Sequence, residues 1–152
     1  RDGMPVNLRF LTNDPLPNVV SYVVDEAIGW TTASSPTHNL LLGYVWRTEE
    51  YPWFNVWRHV DGSGKPLARG LEFGTTGLHQ PFGVLTEKGS IFGRKLFSYL
   101  DAGASSTRTY FAFLAATPAG WQGVQSITYK DGVIAIAERG TRTIEIRSGR
   151  LF

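Results

Sequence analysis

Short β-type apolar runs separated by turn residues are the feature that most constrains this chain. Stretches rich in Val, Ile, Thr, Phe, Tyr and Trp are interrupted by Gly, Pro, Asn or Asp about every ten residues. The sequence contains no long amphipathic helix, internal repeat, low-complexity tract or linker. Because such spacing is typical of sandwiches and barrels, we predict an all-β fold, with residues 1–152 forming a single antiparallel β-sandwich domain.

The apolar runs predict a series of short strands. The run 40–46 is apolar on both faces, so we expect it at the centre of a sheet. The last three strands should form a meander, because Lys130-Asp131-Gly132 carries the Asp-Gly hairpin signal. Residues 91–100 fit either a strand or a helical turn, and loops are expected around 61–66 and 74–90. The predicted strands are 19–24, 40–46, 54–58, 68–74, 107–116, 124–129, 133–138 and 143–147.

Composition excludes several classes of function. The net charge is only +2 and the basic residues are scattered singly, so we expect no nucleic-acid partner. No apolar run is long enough to cross a bilayer, so we expect no membrane partner. The sequence has no Cys and no HxH or HExxH spacing, so we expect no metal site. It also lacks the sequence motifs that bind phosphate or dinucleotides, so we expect no cofactor. Five Trp residues favour a thick β core or a platform for flat ligands such as sugars.

The segment Ala68-Arg-Gly-Leu-Glu-Phe-Gly74 is the strongest candidate for a site. Side chains alternate along a strand, so Glu72 shares its face with Ala68, Gly70 and Gly74. Small neighbours leave room above the strand, where a carboxylate could accept a proton or a hydroxyl from a bound molecule. The alternative is structural: Glu72 pairs with an arginine on a solvated face, and the glycines mark a bulge.

A second run supplies polar and aromatic groups to the same region. In the strand 54–59, Asn55, Trp57 and His59 share one face. These residues could bind a sugar, or they could be structural residues that pair across strands at the edge of a sheet. The loop after it is short, so this strand should pair with the Glu72 strand as a hairpin. His79 and Gln80 follow on a Gly-flanked loop. His79 could act as an acid beside Glu72, or it could be an exposed residue without a catalytic role.

These residues also carry a resemblance to a known family. The sequence resembles the later part of galactose mutarotase-like (aldose 1-epimerase-like) proteins, in particular bacterial members with a PW…W…RGxEFG pattern. The likeness spans roughly positions 15 to 147. It rests on Gly43-Tyr-Val-Trp46, Tyr51-Pro-Trp53, Trp57, Arg69-Gly-Leu-Glu-Phe-Gly74, Phe111-Ala-Phe-Leu114, Gly123-Val124 and Glu138-Arg-Gly140.

The resemblance implies a fold and a reaction. The family fold is a β-supersandwich with a carbohydrate cleft on a concave sheet, of which this chain would be the C-terminal half. In its mutarotases a Glu on a late strand is the general base on the anomeric hydroxyl, and a His is the general acid on the ring oxygen. Glu72 matches that Glu in motif and order, whereas the family's His lies in an earlier half that this chain does not contain. His79 or His59 would have to replace it.

From these observations we predict a carbohydrate-binding protein of the aldose 1-epimerase type. Because a half sandwich exposes strand edges, and because the chain begins at Arg1, we expect a homo-oligomer or a missing N-terminal companion segment. The alternatives are a non-catalytic carbohydrate-binding module and a structural half-domain. The predicted catalytic residues are Glu72, His79 and His59, and the predicted substrate-binding residues are Trp57, Asn55, Arg69, Trp53 and Gln80.

Overall fold

A computed structural model describes residue 9 and residues 18–149. Within this part the chain is all-β with antiparallel pairing, as predicted, apart from one short helix. Residues 15–17, at the start of the stretch that carries the family resemblance, lie outside it. The strands in chain order are β1 Asn18–Val23, β2 Ile28–Ser35, β3 Leu40–Arg47, β4 Trp53–Val60, β5 Pro66–Gly74, β6 Ser90–Ile91, β7 Arg94–Lys95, β8 Tyr110–Ala116, β9 Val124–Lys130, β10 Val133–Glu138 and β11 Thr143–Arg147, and helix α1 is Phe82–Lys88.

The described residues fall into two compact units. One lies within Arg1–Asp25 and Tyr51–Ser106, and the other within Glu26–Glu50 and Thr107–Phe152. The assignment of residues 1–152 to one domain stays a prediction. No helix in the described part is long and apolar enough to cross a membrane.

The first unit contains the sheet β1-β4-β5, the small hairpin β6-β7 and helix α1. Its buried core is formed by Trp53, Leu85 and Leu96, which come from β4, from α1 and from the segment after β7. The helix and the β6-β7 segment therefore pack at the Trp53 end of the sheet. The rest of that face, which carries Glu72, is left uncovered by this core.

The second unit is a small sandwich of two three-stranded sheets, β2-β3-β8 and β9-β10-β11. Both sheets contribute side chains to one hydrophobic cluster, which explains their packing face to face. The alternating apolar residues of the last strand also pack on this core, as predicted from their spacing. The buried members of the cluster are Leu41, Val45, Phe113, Trp121, Val124, Ile134 and Ile136.

Several sequence predictions are confirmed in detail. Strand β3 is the central strand of its sheet, and the last three strands form the predicted meander. Lys130 pairs with Val133 across a two-residue turn, in which Asp131 and Gly132 have φ angles of 52° and 78°. Positive φ at both positions is the geometry of a type I′ hairpin turn, which the Asp-Gly signal predicts.

The structure differs from the sequence prediction at three places. Strand β2 was not predicted, and α1 occupies part of the stretch expected to be a loop. The ambiguous stretch 91–100 is neither a full strand nor a helical turn, since its only regular structure is the short β6-β7 hairpin, all of which except Ser90 lies within it. That hairpin turns at Phe92 and Gly93, whose φ angles are 52° and 71°.

Candidate functional site

Strands β1, β4 and β5 bring the predicted residues to one face of a sheet. The predicted hairpin is confirmed, and its register places Asn55 opposite Glu72 and Trp57 opposite Gly70. On the other side of β4, Ser21 of β1 pairs with Asn55. Directly opposed residues share a face. Ser21, Asn55 and Glu72 therefore form one row across what we call the Glu72 face, with Trp57 in the next row.

The Glu72 side chain lies over Gly70. Its Oε1 atom is 2.8 Å from the point that a Gly70 Cβ would occupy, and the Trp57 Cε3 atom is 3.5 Å from the same point. The predicted room above the small residues is therefore shared by the carboxylate and the edge of the indole. The side chain of Glu72 is exposed and makes no hydrogen bond or ion pair with any residue of the described part. Its oxygens are thus accessible to a ligand that can donate hydrogen bonds.

Trp57 and His59 form a parallel aromatic stack. Their ring centroids are 5.4 Å apart and the ring planes differ by 5°. The indole is half-buried and the imidazole is exposed. One face of Trp57 is therefore covered by His59, and the exposed imidazole lengthens the aromatic surface along the strand.

Asn55 takes part in a hydrogen-bond network with the loop that follows β5. Its Oδ1 accepts a hydrogen bond from the Ser21 hydroxyl at 2.6 Å, and its Nδ2 donates to the Thr76 carbonyl at 3.4 Å. The Ser21 oxygen accepts from the Leu78 amide at 3.2 Å. A primary amide has two protons to donate, so Asn55 keeps one that has no partner in the described part.

Ser21 was not predicted from the sequence as a site residue. Its signal was present, because it is a small polar residue between the apolar Val19 and Val23 on one face of the strand. What the sequence did not supply was the pairing of β1 with β4, which places that hydroxyl beside Asn55.

The loop 75–80 lies across the Glu72 face. Gly77 packs on the Trp53 ring so closely that an added Cβ would stand 2.2 Å from ring atoms. Leu78 has a φ of 62°, and its carbonyl accepts a hydrogen bond from the Gln80 amide at 3.0 Å. His79 is therefore the apex of a tight turn, and its side chain is exposed, as is that of Gln80.

Trp53 is placed in the core rather than at the surface. Its side chain is 2% exposed, and its indole nitrogen donates to the Lys95 carbonyl at 2.7 Å. Gly77 covers the ring. Trp53 therefore supports the loop from beneath, and its substrate-binding role stays a prediction.

Arg69 lies on the opposite face of the sheet. It pairs directly with Arg58, three residue pairs along the sheet from the pair of Asn55 with Glu72. Burial holds the pKa of Arg69 below its ordinary value, and the charge of Arg58 adds to the effect. Arg69 and Glu72 are three residues apart along β5, and side chains an odd number of residues apart in a regular strand point to opposite faces. Arg69 therefore does not join Glu72 in this site.

The hairpin loop beside His59 has its own polar structure. The Asp61 Oδ1 atom accepts hydrogen bonds from the Ser63 hydroxyl, the Ser63 amide and the Lys65 amide at 2.6, 2.8 and 3.0 Å. These bonds, led by the Ser63 hydroxyl, hold the pKa of Asp61 below its usual value. The turn fixes the register of β4 and β5 and hence the pairing of Asn55 with Glu72.

A second carboxylate, Glu138, is bound in a different way. It is 4% exposed, and the Arg142 guanidinium donates to both of its oxygens, at 2.7 and 2.5 Å. The Gln122 amide donates to the same carboxylate at 2.7 Å. Because its oxygens are occupied by the protein, Glu138 is a structural group that ties the turn after β10 to the loop before β9.

No protein-family model, curated protein or solved structure matches this chain.

Proposed function

We propose that the Glu72 face binds a carbohydrate and that the protein is of the aldose 1-epimerase type, with Glu72 as general base. The observation that carries the proposal is the exposed carboxylate of Glu72, which has no partner in the described part and borders the same space above Gly70 as Trp57. Saccharides suit such a surface because their C–H faces pack on aromatic rings while their hydroxyls donate to carboxylates.

The neighbouring groups support sugar recognition. Asn55 keeps one amide proton that a sugar hydroxyl oxygen could accept, and it stands directly opposite Glu72. The edge of Trp57 and the stacked His59 give an apolar surface in the next rows of the sheet. Gln80 is exposed on the loop that lies over the same face and could reach a further hydroxyl.

The reaction follows from the family resemblance. Glu72 takes the proton of the anomeric hydroxyl while an acid gives a proton to the ring oxygen, and the bond between the anomeric carbon and the ring oxygen breaks. Rotation about the next carbon–carbon bond and the reverse proton transfers close the ring as the other anomer. One proton is taken and one is given, so no cofactor is needed.

Of the two candidate acids, His79 is the better placed. Its loop is bonded at Thr76 and Leu78 to the Ser21–Asn55 pair, which is level with Glu72 along the sheet. His59 is opposite Ala68, four residues from Glu72 and so about 13 Å away along the strand. We therefore propose His79 as the acid and His59 as a packing partner of Trp57.

Polarimetry on freshly dissolved α-glucose and α-galactose tests this function. We expect the wild-type chain to speed mutarotation of at least one sugar, and Glu72→Gln to lose about a hundred- to ten-thousand-fold of that rate. Glu87→Gln is the matched control, because Glu87 is exposed on helix α1. If Glu72→Gln is as fast as the wild type across a panel of sugars, the catalytic role is lost.

A non-catalytic carbohydrate-binding module is the second candidate. The stacking of His59 on Trp57 favours it, because the two rings offer an aromatic surface on which a sugar can pack without any proton transfer. The two candidates differ in one comparison. A binding module binds sugar in the wild type but shows no mutarotation in either the wild type or Glu72→Gln.

The family resemblance also leads us to propose the C-terminal half of a supersandwich that self-associates. Strand β8 is at the edge of its sheet, carries no charged residue and has Leu114 68% exposed. Such an edge is open to pairing with another strand. Sedimentation velocity should show a dimer or larger species that Leu114→Lys shifts toward monomer, and a wild-type monomer at all concentrations would contradict it.

A further inference from the structure

We propose that Ser21 is a positioning residue: its hydroxyl fixes the loop 75–80 and, through that loop, the place of His79 on the Glu72 face. The inference rests on the proposed function, in which His79 supplies a proton. Ser21 belongs to β1, whereas Glu72 is on β5 and His79 is on the loop that follows β5. It lies in the same cross-strand row as Asn55 and Glu72.

The hydrogen bonds of Ser21 have only one consistent direction. A hydroxyl has one proton to donate and lone pairs that accept. The proton goes to Asn55 Oδ1 at 2.6 Å, because the Leu78 N–H can only donate. The oxygen then accepts from Leu78 at 3.2 Å. Ser21 thus joins the middle of the sheet to the backbone of the loop.

The backbone on both sides of that amide is constrained. Gly77 is pressed against the Trp53 ring, so the loop cannot move closer to the sheet. Leu78 is held at a φ of 62°, a left-handed conformation that is uncommon for leucine. The turn from the Leu78 carbonyl to the Gln80 amide follows at once and leaves His79 at its apex. The hydrogen bond at the Leu78 amide therefore fixes the backbone immediately before His79 and so determines where His79 lies.

The surroundings of Ser21 indicate a specific role for the hydroxyl. Val19 and Val23 occupy the same face of β1, so an apolar side chain at position 21 would suit the strand equally well. A buried amide without an acceptor is costly. The hydroxyl supplies that acceptor where the loop meets the sheet, which an aliphatic residue could not do.

Amide exchange at Leu78, followed by NMR, tests the anchor without any ligand. Ser21→Ala removes both hydrogen bonds, whereas Ser21→Thr keeps a hydroxyl. We expect Ser21→Ala to raise the Leu78 exchange rate about three- to tenfold and to shift the imidazole signals of His79. Ser21→Thr should restore both to near the wild-type values. Ser34→Ala, at an exposed serine of β2, should leave them unchanged.

A double-mutant cycle tests the functional part. If Ser21 acts through His79, the fold loss in mutarotation caused by Ser21→Ala disappears when His79 is already alanine. Additive losses, or an unchanged Leu78 exchange rate in Ser21→Ala, would overturn the proposal. If the wild-type chain shows no mutarotation, the proposed function fails. The anchor is then judged by the exchange rate and the His79 signals alone.

Discussion

The carboxylate of Glu72 occupies the space above Gly70: its Oε1 atom is 2.8 Å from the point where a Gly70 Cβ would stand. The Trp57 Cβ atom is 3.3 Å from the same point. Glycine at position 70 therefore leaves open a space that the carboxylate and the Trp57 side chain both border. The relationship also explains why a glycine is found in the middle of a strand, where it is otherwise unfavourable.

Replacing this glycine should separate binding from stability. We expect Gly70→Ala to push the Glu72 carboxylate aside and to weaken saccharide binding about tenfold or more. This is the effect expected from losing one hydrogen bond to a charged group. The free energy of unfolding should stay within about 1 kcal/mol of the wild type, because the displaced group is the end of a flexible side chain. Fluorescence titration and urea unfolding measure the two effects.

Gly62→Ala is the control for that experiment, since nothing lies within 4 Å of a Cβ at this loop position. It should bind saccharide like the wild type. An unchanged affinity in Gly70→Ala would show that the carboxylate position is not important for the ligand.

Replacing Gly77, in contrast to Gly70, should mainly lower the stability of the protein. A Cβ on Gly77 would stand 2.2 Å from the Trp53 ring, which is buried and hydrogen-bonded and so cannot shift easily. We expect Gly77→Ala to lower the free energy of unfolding by about 1–3 kcal/mol. Thermal unfolding provides the measurement.

Gly83→Ala makes a suitable comparison, because Gly83 lies within α1 with open space around it. That variant should be more stable than the wild type by about 0.5–1 kcal/mol. If Gly77→Ala were at least as stable as the wild type, the close packing of the loop on Trp53 would not hold in solution.

The predictable parts of the fold are those with strong local signals. Strands β3 and β9 to β11 follow from apolar alternation and from the Asp131-Gly132 turn, and the β4-β5 hairpin follows from its short loop. Strand β2 was missed because its second half, Thr31-Thr-Ala-Ser-Ser35, has small residues with little apolar alternation. Its Gly29 is explained only by the fold, since the Trp46 ring lies over it.

Helix α1 was missed because seven residues are too few for a helical period to be visible. Its ends did carry signals: Pro81 precedes the first turn, and Gly89 follows the last with a φ of 68°. The same Pro and Gly residues are also typical of loops, which is why the sequence predicts a loop there.

For the candidate site, alternation along each strand correctly grouped Glu72, Asn55, Trp57 and His59 on one face. It could not show that Trp53, on the same face, is covered by the loop. Nor could it show Ser21, because the order of strands in a sheet depends on contacts between residues that are distant in sequence.

The ion pair between buried Glu138 and half-buried Arg142 in the second unit predicts a pH dependence of stability. The side-chain hydrogen bond from Arg142 is the main cause that holds the pKa of Glu138 below its usual value of about 4.3. A group with a lowered folded-state pKa stabilises the protein above its unfolded-state pKa. That contribution is lost as the pH falls through the folded-state pKa.

We therefore expect the free energy of unfolding of the wild type to decrease as the pH falls below about 4.3. Glu138→Gln should be less stable at neutral pH and should show a flatter decline in acid. Glu145→Gln, at an exposed position of β11, should keep the wild-type slope. Denaturant unfolding between neutral and acidic pH tests this, and parallel curves for the wild type and Glu138→Gln would contradict it.

The most direct test of the account is an NMR titration of the tryptophan indole N–H signals with saccharide. The chain has five tryptophans, so each can be assigned by substitution. We predict that a sugar that binds shifts the Trp57 signal and leaves that of buried Trp53 unchanged. In Glu72→Gln the same sugar should no longer shift the Trp57 signal. If no sugar that binds moves the Trp57 signal, or if Glu72→Gln responds as the wild type does, the Glu72 face is not the binding site.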